Sequence, residues 1–177
     1  MIYIICGEGK GKTTSLIGQV IRALGNKKKV LFIQFLKGKN TGEYKFFNFI
    51  RKLDMYKSYI KYRVFGNGAF IRNEEDKKKA RNMVKKGIEF LEKELSRNKY
   101  FLVALDEINY AFYLNVIDEP SKRKLIEIFK KYQDVNFFLT GRNPPKEIKK
   151  LAVMISEIKN RRHHLEIGIK ARKGIEF

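Results

Sequence analysis

Cysteine occurs once in the 177 residues, proline three times and tryptophan not at all. One thiol cannot close an internal disulfide, so the core alone must hold the fold, and such usage fits a reducing cytoplasm. No run approaches the ~18 apolar residues of a membrane span, and the first residues lack the basic stretch of a signal peptide. The expectation is a cytoplasmic protein without a membrane segment. Acidic residues are scarce as well: 19 Asp and Glu stand against 39 Lys and Arg, a formal charge of +20. The cations come in short runs such as Lys27 to Lys29, Lys77 to Lys79 and Arg161-Arg162. None reaches the five or six like charges of a binding tail. Helix-turn-helix, zinc and aromatic RNA-binding signatures are also missing, so nucleic acid is not an expected partner. The richness in Lys, Asn, Ile, Phe and Tyr fits a compositional bias, and the resulting field favours polyanions such as nucleotides.

No repeat, linker or low-complexity stretch divides the chain. Its length suffices to bury one core, and residues 1–177 are read as a single domain.

What is present begins at the N-terminus. The apolar run Ile2 to Ile5 leads into Cys6-Gly7-Glu8-Gly9-Lys10-Gly11-Lys12-Thr13-Thr14. Next, Leu16, Ile17, Val20, Ile21 and Leu24 recur at helical spacing up to a Gly25-Asn26 stop. Strand, Gly-rich turn ending Gly-Lys-Thr, then helix is the phosphate cradle called a P-loop. Glycines let backbone N–H groups turn inward around an anion, and the helix N-terminus adds partial positive charge. Lys12 is placed against phosphate oxygens, and Thr13 can offer its hydroxyl to Mg²⁺. The usual spacing puts a glycine at the position of Cys6; here the first glycine is Gly7.

Val30 to Leu36 is apolar except for Gln34, as in a strand buried on both faces. A polar loop is expected from Lys37 to Tyr44, then a short helix from Phe46 to Leu53. Ile60, Tyr62 and Val64 alternate with cations as in a half-buried strand, and the loop from Phe65 to Arg72 has an uncharged centre. Asn73 can cap a helix whose first turn carries Glu74, Glu75 and Asp76 and whose stripe runs from Ala80 to Leu95. Tyr100 to Leu105 reads as a second buried strand delivering Asp106-Glu107. Those carboxylates suit Mg²⁺, although Asp106 at the start of a helix over Ile108–Val116 can also be a cap. Pro120 opens another helix, Val135 to Leu139 forms a strand ending at Thr140-Gly141-Arg142, and Ala152 to Ile155 forms a last one. This alternation predicts an α/β fold of the P-loop NTPase (RecA-like) kind: a mostly parallel sheet with helices on both faces. Ligands bind such sheets at the carboxyl ends of the strands.

Several stretches together resemble the P-loop-type cob(I)alamin and cob(I)yrinic acid a,c-diamide adenosyltransferases. They are Gly7 to Thr14, Arg22 to Gly25, Gln34-Phe35-Leu36-Lys37-Gly38, Gly42-Glu43, Leu105 to Tyr110, Leu139 to Arg142, Ser156-Glu157, His163 and Lys173-Gly174-Ile175-Glu176. The one-residue shift of the first glycine is also that family's form of the turn. The resemblance implies that Co(I) of a reduced corrinoid attacks the 5′ carbon of ATP and releases triphosphate. It implies Gly7, Glu8, Gly9, Lys10, Gly11, Lys12, Thr13, Thr14 and Arg142 as ATP-binding residues, with Lys12 also catalytic. Mg²⁺ would be held by Thr13 with Asp106 or Glu107, directly or through water. Gly68-Ala69-Phe70 corresponds to the family's corrinoid-facing aromatic stretch, with no tryptophan and with the phenylalanine one place along. Phe70 would either exclude water near cobalt or simply anchor the loop. The resemblance further implies a homodimer and a Co(II)-reducing flavoprotein partner; the competing reading is a P-loop ATPase acting with nucleic acid.

Overall fold

The four most apolar runs of the chain become the interior of one sheet. In the computed structural model, which describes residues 1–175, the strands are β1 (Ile2–Cys6), β2 (Val30–Phe35), β3 (Ile60–Phe65), β4 (Leu102–Asp106), β5 (Asn136–Thr140) and β6 (Met154–Glu157). Their order is β3-β2-β4-β5-β1-β6 and every pairing is parallel. Glu176, expected as part of a site-matching stretch, lies outside the described residues.

Alternate residues of the central strands feed two cores. Ile4, Ile33, Phe35, Val103, Leu105 and Phe137 face one side, where Ala80, Val84, Ile88 and Leu91 of α3 (Glu74–Arg97) and Leu125 and Phe129 of α5 (Glu119–Lys131) cover them. Ile5, Val30, Phe32, Leu102 and Ala104 face the other, under Leu16 and Val20 of α1 (Lys12–Gly25) and Phe47 of α2 (Gly42–Ile50). Helices on both faces explain why β2 and β4 read as continuous apolar runs instead of alternating ones. Short helices α4 (Ile108–Tyr113) and α6 (Lys146–Leu151) complete the frame.

Local chemistry sets the ends of these elements. Asn73 Oδ1 accepts from Asp76 N at 2.8 Å, and Asp118 Oδ1 accepts from Ser121 N at 2.8 Å; each such cap contributes about 1 kcal/mol. The expected polar loop from Lys37 to Tyr44 is shorter than its composition suggests. Thr41 Oγ1 accepts from Tyr44 N at 3.2 Å, so α2 starts at Gly42 and ends at Ile50, not Leu53. Helix α4 stops at Tyr113 instead of Val116, where Asn115 takes a left-handed φ of 53°. Strand β6 begins two residues later than its apolar pattern indicates. It is an exposed edge, so burial periodicity does not fix its position.

Candidate active site

The carboxyl ends of β1, β2, β4 and β5 gather the chemistry along one rim. From β1 the chain enters the Gly-rich turn, and Gly11, with φ 116°, is the N-cap of α1. No side chain caps this helix and its first turn carries no acid. The positive end of its dipole is therefore not countered locally, which favours an anion there. Lys12 Nζ donates to Gly9 O at 2.7 Å. Burial pushes the Lys12 ammonium pKa down, against the opposing pull of the Glu107 charge.

Glycines 7 and 9 have a different reason to be glycine. A Cβ on Gly7 would stand 2.4 Å from Ile158 O, and one on Gly9 would stand 2.8 Å from the Ile158 side chain. The segment leaving β6 closes on the turn through Gly9 N to Ile158 O and Ile158 N to Cys6 O, both 2.8 Å. These two residues shape the turn from behind. Lys10, Gly11, Lys12, Thr13 and Thr14 line a cavity of about 530 Å³ in front of it, together with Ile17, Ile21, Phe46, Gly174 and Ile175. Glu8 and Arg142 pair with each other on the rim, Oε2 to Nη1 at 3.0 Å, and the Arg142 guanidinium stacks 5.7 Å over the Tyr110 ring. Cys6 is buried in the core, as a packing residue would be.

Asp106 ends β4 fully buried. Its Oδ1 accepts from Thr140 Oγ1 at 2.6 Å and from Thr13 Oγ1 at 2.9 Å. Its Oδ2 accepts from Gln34 Nε2 at 2.9 Å and stands 3.0 Å from Lys37 Nζ. The Tyr62 hydroxyl in turn donates to Gln34 Oε1. A buried carboxylate persists only with such compensation. Asp106 does not cap α4; the N-cap is Glu107, whose side chain makes no capping bond.

Glu107 takes φ 62°, and its N–H donates to Thr140 Oγ1 at 2.9 Å. A left-handed non-glycine residue is unfavourable by roughly 1–2 kcal/mol; here it re-aims the carboxylate away from Asp106 toward the cavity. Among the described residues the Glu107 carboxylate has no hydrogen-bond or ion-pair partner. Burial, with the Asp106 charge second, pushes its pKa up.

Gln34, Lys37, Glu43 and Thr140 also belong to the site; all four lie in stretches that carry the family resemblance, which assigns none of them a specific role. Gln34 stands out in the sequence as the one polar residue in a buried run, and Thr140 as the polar end of β5. Lys37 carries no mark beyond its place in the family-matching stretch Gln34 to Gly38. It enters because Lys37 N donates to Phe35 O at 2.7 Å, closing a three-residue turn in which Leu36 has φ 63°. The turn swings Lys37 Nζ to 2.7 Å from Thr13 Oγ1 and 3.6 Å from Glu43 Oε1. Burial lowers the Lys37 pKa, but the Asp106, Glu107 and Glu43 carboxylates outweigh it and leave it raised.

A second cavity, of about 610 Å³, adjoins the first and shares Lys37, Glu43 and Glu107 with it. Gly68, Ala69 and Phe70 line it, with Leu36, Met83 and Tyr110. Phe70 is 81% exposed, so it does not anchor its loop. The anchoring falls to glycines: a Cβ on Gly66 would meet the Leu36 backbone at 2.4 Å, and one on Gly68 the Gly38 backbone at 2.9 Å. His163 lies apart from both cavities, its Nδ1 accepting from Leu165 N to cap a short 3₁₀ turn.

The model of the ATP:corrinoid adenosyltransferase family BtuR/CobO/CobP matches residues 1–177. The chain belongs to that family. It is similar to the corrinoid adenosyltransferase of Pseudomonas aeruginosa, at 30% identity over 178 residues, with 100% of this chain and 83% of that protein covered. The Sinorhizobium sp. corrinoid adenosyltransferase is 28% identical, with 100% of this chain and 80% of that protein covered. The one from Escherichia coli K12 is 26% identical, with 100% and 85% covered. In this adenosyltransferase the cavity in front of the glycine-rich turn and a second, adjoining cavity meet at one wall, a layout suited to two substrates.

Proposed function

We propose that this chain transfers the 5′-deoxyadenosyl group of ATP to the Co(I) of a reduced corrinoid and releases triphosphate. The carrying observation is the pair of cavities sharing Lys37, Glu43 and Glu107. ATP binds along Lys10 to Thr14 with its triphosphate on the uncapped N-terminus of α1; Gly7 and Gly9 hold the turn's shape, and Glu8 and Arg142 close its rim. Lys12 and the turn's N–H groups hold the negative charge that grows on the leaving triphosphate. The corrinoid occupies the second cavity, against Gly68, Ala69 and Phe70. There Phe70 supplies apolar bulk that excludes water from cobalt.

The residues present also suit Mg²⁺. Among the described residues the Glu107 carboxylate on the shared wall has no partner, and Thr13 brings its hydroxyl oxygen there. Among the described residues no three His, Cys, Asp or Glu side chains converge on a metal. That fits an ion held by one or two carboxylates together with substrate phosphates and water. Bound there, Mg²⁺ would neutralise phosphate charge. Asp106, with both oxygens engaged, orients Thr13 and acts at most through water. Among the described residues no helix is long and apolar enough to cross a membrane. This reading includes a cytoplasmic location, which the single cysteine supports, a homodimer and a Co(II)-reducing flavoprotein partner, which the family resemblance implies, and residues 1–177 as one domain.

The test is the product. With ATP, Mg²⁺ and chemically reduced corrinoid, adenosylated corrinoid and intact triphosphate are expected in equal amounts. ADP and orthophosphate, stimulated by nucleic acid, would instead fit a P-loop ATPase.

A further inference from the structure

Of the lysines that line the two cavities, Lys12 and Lys37 occupy different places. Lys12 lines only the phosphate cavity, bonded to Gly9 O. Lys37 lines both cavities. Its Nζ has good hydrogen-bond distances to two acceptors, Thr13 Oγ1 at 2.7 Å and Asp106 Oδ2 at 3.0 Å, whereas Glu43 at 3.6 Å is too far for a strong bond. An ammonium has three protons, so one N–H remains for a ligand at the wall between the cavities. The left-handed turn at Leu36 and the buried Asp106 fix this placement without any ligand contact.

We propose that Lys37 is a catalytic residue of the adenosyl transfer, donating to the oxygen that leaves the 5′ carbon of ATP. This rests on the reading of the two cavities given above. With the triphosphate in one cavity and cobalt in the other, the breaking carbon–oxygen bond lies at their common wall. In the step, an electron pair of Co(I) forms the cobalt–carbon bond and cobalt becomes formally Co(III). The pair of the carbon–oxygen bond stays on the departing oxygen, which leaves as part of triphosphate. That oxygen carries little charge as an ester bridge and close to a full charge once the bond has broken. An ammonium placed there stabilises the transition state more than bound ATP. Lys37 keeps its proton throughout.

The experiment compares the wild type with Lys37→Met. The single-turnover rate is expected to fall about 10²- to 10³-fold, as when one oxyanion donor is removed. Calorimetry with ATP and with inorganic triphosphate supplies the second readout. Triphosphate bears the freed oxygen and ATP does not, so triphosphate affinity should fall about tenfold more than ATP affinity. If Lys37 only braces Asp106 and Thr13, the two affinities fall in parallel, and the proposal is overturned; an unchanged rate overturns it too. Lys37→Arg, which keeps the charge beside Asp106, should recover much of the rate, and it serves for the same affinity comparison should the methionine variant not fold. A wild type that makes no adenosylated corrinoid would defeat the adenosyl-transfer reading itself. A wild type that does, beside a fully active Lys37→Met, would defeat only the role of Lys37.

Discussion

Gln34 and Asp106 are partners on neighbouring parallel strands, and Gln34 Nε2 donates to Asp106 Oδ2 across 2.9 Å. With Tyr62 behind Gln34 and Thr13 in front of Asp106, a hydrogen-bonded line runs through the sheet to the phosphate turn. It ties the position of Thr13 to the core.

Removing Gln34 tests that line. Gln34→Leu leaves the buried Tyr62 hydroxyl without its acceptor and takes one donor from Asp106 Oδ2, which keeps Lys37. Unsatisfied groups of this kind cost about 1–3 kcal/mol, and at ~2–4 °C per kcal/mol for a chain of this size the expected loss in Tm is about 2–12 °C. A thermal melt with an unchanged midpoint would contradict it.

Lys12→Ala should weaken ATP binding by roughly 10- to 100-fold, because a charge-assisted hydrogen bond contributes about 1.5–3 kcal/mol. Isothermal calorimetry reads this directly. Equal affinity in the variant would remove Lys12 from the phosphate site.

Gly7 and Gly11 share a left-handed backbone but not their surroundings. A Cβ on Gly7 collides with Ile158 O at 2.4 Å, whereas one on Gly11 comes no nearer than 3.9 Å to any neighbour. Gly7→Ala should therefore lower Tm more than Gly11→Ala, by at least ~1 kcal/mol equivalent beyond the conformational strain common to both. Loss of ATP binding is expected in both. Urea unfolding of the two variants side by side decides; the reverse order of stability would mean that Ile158 does not brace the turn.

Glu107 gives a pH prediction. Burial and then the Asp106 charge raise its pKa, so the folded chain binds its proton more tightly than the unfolded chain. Stability then falls as pH rises from the ordinary glutamate range through the raised value, and the loss persists at neutral pH. Glu107→Gln should raise Tm at about pH 8 and lose that advantage near pH 4, where the unfolded carboxyl is also largely protonated. The same variant should bind Mg²⁺·ATP less tightly. Melts at the two pH values check the first claim, and a destabilised variant at the higher pH would refute it.

Phe70→Ala should raise the KM for corrinoid by roughly 10- to 100-fold, since a buried phenyl ring contributes about 1.5–3 kcal/mol when fully covered, and leave ATP affinity unchanged. Steady-state kinetics with each substrate varied in turn separates the two. An equal rise for ATP would place Phe70 at the wrong cavity.

The strand–turn–helix at the N-terminus, the buried runs of β2 and β4 and the capped helix α3 were legible to within two residues at their ends. Their periodicity and capping chemistry are local, and local pattern survives in any fold that buries them. So was the pairing of a Gly-Lys-Thr turn with Asp106-Glu107, because a parallel α/β sheet brings strand ends to one rim. The start of α2 and the position of β6 were not. One depended on a threonine cap inside a loop-like composition, the other on an exposed edge without periodicity.

By itself the sequence determined the class of fold, the glycine-rich turn between β1 and α1 and the family. Only the tertiary structure decided that Gly7 and Gly9 serve Ile158, that Asp106 is engaged by Thr13, Thr140, Gln34 and Lys37 while the Glu107 carboxylate has no partner among the described residues, and that Lys37 belongs to both cavities. Each of these depends on atoms from strands distant in sequence but adjacent in the sheet, or on a left-handed turn at Leu36 or Glu107. No spacing rule encodes such contacts, because the sheet order that creates them is set by how the whole core packs.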